Sequence, residues 1–309
     1  MTQKLPHIAF LGIGLMGAPM THNLLEAGFP MTLWNRTSAR CQPFADRARI
    51  ADTPAEAVVD ADVIIVMLEN GPAVHQVLVK QGVIDAFPTG AVVIDMSSVQ
   101  PSLAREHAQL VRARGADYLD APVSGGTTGA EQGRLSIMVG GESEVMERLS
   151  PVFRALGKPT YIGPVGAGQL AKLANQAIVG ITIGAVSEAL LLAAQGGADP
   201  AAVREALLGG FAGSRILELH GQRMIDRNFA PGAPARIQLK DMRMILDEGR
   251  SENLTLPLSQ QVHNSYLSLL ANGHSEVDHS GLLLELEHLN GVRMGDGKDR
   301  PGVKSAAGA

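Results

Sequence analysis

Lys172 is the residue in this chain hardest to explain without chemistry. It lies in Gly166-Ala167-Gly168-Gln169-Leu170-Ala171-Lys172-Leu173-Ala174-Asn175-Gln176, a segment otherwise short of charge. A lysine in apolar company is costly unless it has a partner or a task. Burial disfavours the ammonium, which suits such a lysine to proton transfer near neutral pH. On a helix, Lys172, Asn175 and Gln176 stand at i, i+3 and i+4 and share one face. The residues alone also allow a lysine paired at an interface, or one reaching along the helix to water.

Asp120-Ala121-Pro122-Val123-Ser124-Gly125-Gly126 is a second such segment. A hydroxyl followed by two glycines can offer an O–H and several backbone N–H donors to a carboxylate. An ordinary strand-to-loop turn reads the same way.

A third is Gly12-Ile13-Gly14-Leu15-Met16-Gly17. The spacing GxGxxG is weak evidence alone and gains value between a strand and a helix, which is where it falls here. Gly12 would make the tight turn, Gly14 would let a pyrophosphate approach, and Gly17 would let helix and strand pack closely. The N–H groups opening the helix would face the phosphates. A glycine-rich turn without ligand is the alternative. About 20 residues on, an NAD-preferring site usually carries an acid for the ribose hydroxyl. Here the chain reads Leu33-Trp34-Asn35-Arg36-Thr37-Ser38, with no acid from Met31 to Cys41. A guanidinium at Arg36, beside Asn35 and Thr37, can pair with a 2′-phosphate. The expected cofactor is therefore NADP, with NAD accepted more weakly, unless Arg36 is merely a solvated surface residue.

These segments need a scaffold. His7–Leu11, Met31–Trp34, Val63–Leu68 and Ala91–Asp95 are nearly continuous apolar runs, as strands buried on both faces should be. Helical patterns at Met16–Ala27, Pro72–Lys80 and Pro101–Arg114 separate them. Shorter strands are expected at Tyr118–Asp120, Ser136–Val139 and Thr160–Ile162. This βαβ alternation predicts a doubly wound parallel sheet of the Rossmann type. After the turn-rich Gly163–Gly168 the β pattern ends. A helix over Gln169–Gln195, roughly 40 Å long, should lead into an all-α domain. Its helices are expected at Pro200–Leu208, Arg215–Met224, Gln238–Glu248, Pro257–Ala271 and Ser280–Leu289. The expected organisation is a nucleotide domain over 1–164, a helical domain over 165–293, and a mobile tail over 294–309.

Of the 309 residues, 45% are hydrophobic and 18% charged, which suits a chain with a real core. A net charge of −5 gives no reason to expect nucleic acid or an anionic membrane as partner. Cys41 is the sole cysteine, so neither an internal disulfide nor a cysteine-ligated metal is expected, and a reducing cytoplasm fits. The N-terminus does not read as a signal peptide. The uncharged run Ala177–Val186 is shorter than a membrane span needs and reads as a buried helix.

Phe10–Met20, Asp120–Gly126 and Gly166–Gln176, taken in order, resemble the signatures of the β-hydroxyacid dehydrogenases, and Lys240-Asp241 resembles a fourth element. The resemblance runs to about Leu289. It implies that Lys172 is the catalytic acid/base and that Ser124, Gly125 and Gly126 hold the substrate carboxylate. It further implies that Asp95-Met96-Ser97-Ser98 touches nicotinamide and substrate, that Met67 and Leu68 line the cofactor, and that Lys240 serves cofactor or substrate. Asn175, Gln176 and Asp241 complete the expected substrate set. An N-terminal Rossmann domain, a long interdomain helix, and a homodimer or homotetramer formed through the helical domain are implied as well. Within the family, Trp34–Thr37 and His220-Gly221-Gln222-Arg223-Met224 look most like the branch that reduces 2-hydroxy-3-oxopropionate. Gln176 stands where many relatives have Asn, and Ala233 where many have Phe; the lost bulk leaves room for a larger substrate. The alternatives are an oxidoreductase for 3-hydroxyisobutyrate or for 4-hydroxybutyrate/succinic semialdehyde, an imine reductase, which generally lacks the lysine, and a protein that binds NADPH without catalysis. A decarboxylating sugar-phosphate dehydrogenase would need a longer C-terminal region.

Overall fold

The computed structural model describes residues 5–295. Of the tail expected to be mobile, only Met294 and Gly295 fall among them. The chain divides into two compact units, Met1–Ala174 and Asn175–Ala309.

The first unit is built on one sheet. Its strands are β1 (Ile8–Leu11), β2 (Met31–Trp34), β3 (Arg49–Ile50), β4 (Val63–Val66), β5 (Val92–Asp95), β6 (Asp117–Asp120), β7 (Val123–Ser124), β8 (Leu135–Gly140) and β9 (Gly157–Gly163). The order is β3-β2-β1-β4-β5-β6-β8-β7, with β9 also on β8. Strands β3 to β6 in that order are all parallel, and β8 runs antiparallel to β6 and β7. The order reverses between β1 and β4, the position where open α/β sheets bind ligands beyond their carboxyl ends.

Alternation along each strand sorts side chains to two faces. Ile8, Phe10, Leu33, Ile65 and Ile94 join one core, with Leu24 and Phe153. Ala9, Leu11, Ile64, Val66 and Val93 join the other, with Val74 and Val111. Both faces are covered, so the strands read as unbroken apolar runs. The last two residues of the expected strand Val63–Leu68 leave the sheet because Met67 and Leu68 belong to the ligand edge. Two-residue strands β3 and β7 gave no sequence pattern long enough to recognise. The helix expected at Pro72–Lys80 begins as Gly71–His75 and widens into a π-helical turn over Gln76–Lys80.

The long helix runs from Ala167 to Gln195, two residues earlier than its apolar periodicity suggests. By length and composition it could cross a membrane, alone in this among the described residues. Its residues Leu173, Ile183, Val186 and Leu190 are buried.

The second unit is helical. Ala235–Ser251 packs on Pro257–Ala271, which packs on Leu282–Asn290. Leu239, Met242, Ile245, Tyr266, Leu269 and Leu283 fill its core. Arg227 donates two hydrogen bonds to the Glu287 carboxylate, at 2.7 and 2.9 Å, a fork geometry that fixes both planes. Arg215–Met224 is not a regular α-helix: a π-helical turn at Leu217–Gly221 precedes Gln222–Ile225.

Candidate active site

The carboxyl ends of five strands are knitted edge to edge. Gly12 N–H donates to Trp34 O, Met67 N–H to Leu11 O, Met96 N–H to Val66 O, and Ala121 N–H to Asp95 O. Segments 12–17, 35–37, 67–68, 96–98 and 121–122 therefore follow the strand ends side by side.

In the first of them, Gly12 has φ +113°, and a Cβ there would collide with the Met67 carbonyl. A Cβ on Gly17 would collide with the Gly12 carbonyl. Those two glycines serve the turn itself. Gly14 has no such constraint, and only Arg40 comes near the place where its Cβ would be. The helix Gly17–Glu26 that follows has no side-chain cap and no acid in its first turn. Its opening N–H groups and positive dipole end suit an anion. Ile13 is buried, and Leu15 and Met16 are exposed and half-buried.

At the end of β2, Asn35 accepts a hydrogen bond from Ile13 N–H at 3.0 Å and donates to Thr37 O at 2.9 Å. Arg36 and Thr37 are exposed. A surface cleft here is lined by Trp34, Asn35, Arg36, Ser38, Asp52, Thr53, Pro54 and Gln81. Asp52, Thr53 and Gln81 were invisible to a reading of the β2 segment, because they reach the cleft from after β3 and after the π-helical turn. A glycine turn opening an uncapped helix, with a surface cleft at the neighbouring strand end, fits a dinucleotide.

The 96–98 segment is tightly fastened. Ser97 is fully buried, and its hydroxyl accepts from Leu68 N–H at 3.0 Å and donates to Val66 O at 3.4 Å. Ser97 thus holds β4 and β5 together within the protein, while Ser98 beside it is half-buried. Asp95 accepts from Ser97 N–H at 3.0 Å and from Tyr118 Oη–H at 3.3 Å. Complete burial pushes the Asp95 carboxyl up to about 7, with the neighbouring Asp120 adding to the rise against the lowering hydrogen bonds.

Asp120 is also fully buried, and its two oxygens accept from Gly166 N–H at 2.8 Å and Gln169 N–H at 2.9 Å. Burial raises its carboxyl to about 6, opposed by those backbone donors. The carboxylate caps the start of the long helix. Ser124, half-buried on β7, follows Asp120 by four residues, with exposed Gly125 and Gly126 after it. Lys172 follows Gly166 along the helix and is 9% exposed.

In the helical unit, Gln176 donates to the Asp241 carboxylate at 2.6 Å and accepts from Asn175 Nδ2 at 2.8 Å. Lys240 Nζ lies 3.1 Å from the other Asp241 oxygen. Asn175, Gln176, Lys240 and Asp241 are thus one connected polar group. Gln238, absent from the expected set, joins it by donating to the Gln176 carbonyl at 3.1 Å.

His220, Asp278 and His279 also cluster closely enough to suggest cation ligands. However, Asp278 accepts from Gly232 N–H, Ala233 N–H, Ser280 N–H and Ser280 Oγ, and Arg223 Nε lies 3.5 Å from Oδ1. A guanidinium already stands where a metal would need room. The cluster anchors the Pro231–Ala233 turn.

Two domain families match the chain. The NAD-binding domain of 6-phosphogluconate dehydrogenase matches residues 7–166. The NAD-binding domain of NADP-dependent 3-hydroxyisobutyrate dehydrogenase matches residues 166–286. A 2-hydroxy-3-oxopropionate reductase of Escherichia coli is 43% identical over 91% of this chain and 97% of its own length. The chain belongs to the 3-hydroxyisobutyrate dehydrogenase-like family. It is an NAD(P)-binding oxidoreductase of the β-hydroxyacid dehydrogenase kind. The 2-(hydroxymethyl)glutarate dehydrogenase of Eubacterium barkeri is another similar family member, 33% identical over 96% of this chain and all of its own. A Mycobacterium tuberculosis 3-hydroxyisobutyrate dehydrogenase, solved with L-serine, has a TM-score of 0.84 and 30% identity, covering 92% of this chain and 99% of its own.

Proposed function

We propose that the chain reduces a small carboxylate-bearing aldehyde with NADPH, with Lys172 as proton donor and 2-hydroxy-3-oxopropionate as the first candidate substrate. The observation that carries this reading is a lysine 9% exposed on a helix whose first turn is fixed to the sheet's ligand edge. The substrate name rests on the 43% identity to the Escherichia coli reductase.

When bound, the nicotinamide supplies the hydride. The amide groups of 12–17 would hold the cofactor's pyrophosphate, Met67 and Leu68 would line its site, and Arg36 would pair with a 2′-phosphate. Ser124, Gly125 and Gly126 clamp the substrate carboxylate, so that the aldehyde carbon is presented in one orientation. As the carbon is reduced, charge develops on its oxygen. The Lys172 ammonium stabilises that charge and donates a proton, leaving the alcohol and a neutral amine. Ser98 adds a hydroxyl to the substrate's surroundings; Asn175, Gln176, Asp241 and Lys240, one polar group within the helical unit, are assigned to the substrate by the family resemblance alone.

NADP preference is supported by Arg36 and by the absence of an acid at the end of β2. Asp52 in the same cleft is the feature that would favour NAD. A cytoplasmic homodimer or homotetramer is the assembly we infer, without nucleic acid or membrane as partner. Its support is the mild net charge and exposed Ile178 (67%) and Leu192 (76%) on the long helix.

The test is a spectrophotometric screen of NADPH and NADH against 2-hydroxy-3-oxopropionate, succinic semialdehyde, methylmalonate semialdehyde, glyoxylate and bulkier oxo acids. Oxidation of NADPH by the first substrate, lost by at least about a hundredfold in Lys172→Ala, supports the reading. Cofactor binding with no oxidation by any oxo acid overturns it.

A further inference from the structure

Gln169 is 1% exposed and polar, on a helix face where an apolar residue would be expected. Its Oε1 accepts from Val99 N–H at 3.1 Å and its Nε2 donates to Ser97 O at 2.9 Å. Its own N–H donates to Asp120. One residue therefore joins the start of the long helix to the segment after β5 by its side chain, and to the end of β6 by its backbone. Asp120 completes the junction from the other side through Gly166 N–H. The seat is close: a Cβ on Gly168 would lie 2.6 Å from Asp120 O, and one on Gly140 2.5 Å from Asp120 Oδ1. Strand and helix meet there backbone to backbone.

We propose that Asp120 and Gln169 are positioning residues of the reaction, a clamp that holds the Lys172 helix in register with Ser98 on one side and Ser124 on the other. The proposal rests on Lys172 being the proton donor. Lys172 lies three residues, slightly under one turn, beyond Gln169, so a tilt at the clamp is carried straight to it. Ser98 stands between the two residues that Gln169 binds. Ser124 is four residues from Asp120. Lys172 and the two substrate-holding serines are thus attached to, or follow closely from, one buried junction, and a displacement near 1 Å at a reacting group costs on the order of a hundredfold in rate.

The carboxylate form of Asp120 is the one that accepts from the helix N–H groups and offsets the dipole. Facing it are Asp95 on β5, Tyr118 on its own strand, the uncharged Gly140 of β8 and the helix bearing Lys172; Arg105 of helix Pro101–Arg112 lies against Gly166. Asp95 and Asp120 interact, so the apparent midpoint belongs to the pair.

The experiment compares Asp120→Asn, Gln169→Leu and Lys172→Ala with the unaltered enzyme, measuring kcat from pH 5 to 8 and NADPH affinity by fluorescence titration. The clamp predicts kcat down on the order of tenfold to a hundredfold in the first two variants, with NADPH affinity within about twofold. It also predicts a rise of kcat near pH 6 in the unaltered enzyme that disappears in Asp120→Asn and survives in Gln169→Leu. Near-normal kcat, a pH profile unchanged by Asp120→Asn, or a parallel loss of NADPH affinity overturns the proposal. Should Asp120→Asn fail to fold, Gln169→Leu decides by its kcat and affinity. Full turnover in Lys172→Ala is the separate result that removes the proton-donor reading itself.

Discussion

The backbone N–H of Ile13 donates to Asn35 Oδ1 at 3.0 Å, across 22 residues of sequence. That bond ties the middle of the phosphate turn to the end of β2. The second Asn35 bond, to Thr37 O, shapes the turn that carries Arg36. Asn35 therefore sets the spacing between the 12–17 turn and the segment that carries Arg36.

Asn35→Ala should raise the Michaelis constants for NADPH and NADH together, by about tenfold, with kcat little changed. The N–H of buried Ile13 loses its acceptor, a cost of about 1–3 kcal/mol. Steady-state kinetics with both cofactors checks this; a change confined to NADPH would mean that Asn35 serves the 2′-phosphate alone.

Arg36→Ala should act differently. A charged hydrogen bond to phosphate contributes about 1.5–3 kcal/mol, so the NADPH constant should rise at least about tenfold while the NADH constant stays near its starting value. Asp52→Ala, in the same cleft, should improve NADPH further. Equal effects of Arg36→Ala on both cofactors would defeat the 2′-phosphate argument.

Asp95 makes stability depend on pH. Its carboxyl is raised to about 7 by burial, so the folded chain holds a proton that the unfolded chain has released. That contribution is fully present below about pH 4 and is lost as pH rises through about 7. Asp95→Asn keeps an acceptor for Ser97 N–H and cannot ionise. Thermal melts of the unaltered chain should fall from pH 5 to 8 by more than those of the variant. Asp120 titrates in the same window, so a residual slope stays. Parallel melting curves would show that Asp95 is ionised throughout.

Asp278 has the opposite sign. Burial alone would raise its carboxyl, but His220, His279 and Ser280 hold it well below the usual carboxylate range. Its stabilisation is present above about pH 4 and fades as pH falls through the depressed value. Asp278→Ala leaves the N–H groups of Gly232, Ala233 and Ser280 without their acceptor. A loss of about 3 kcal/mol or more is expected in denaturant titration at pH 7, with the Pro231–Ala233 turn exchanging its amide hydrogens faster. A loss below about 1 kcal/mol would mean water replaces the carboxylate.

Local order along the chain determined a great deal. Unbroken apolar runs at Ile8–Leu11 and Val63–Val66 disclose a sheet covered on both faces, since a strand writes its burial into consecutive residues. The glycines at 12 and 17 disclose a turn that no side chain could occupy. Lys172, Asn175 and Gln176 share a helix face by spacing alone. Tertiary structure decided what those residues lean on. Asp120 is an unremarkable acid in sequence, and so is Asp278. Each becomes a fastening point because folding brings backbone N–H groups from 46 or so residues away to its oxygens, and burial then strips the water that would compete. The Ser97 hydroxyl likewise finds its partners, Val66 O and Leu68 N–H, on a strand end about 30 residues away. Pairings of that kind leave no period in the sequence, because the partners are set by where the sheet ends rather than by their distance along the chain.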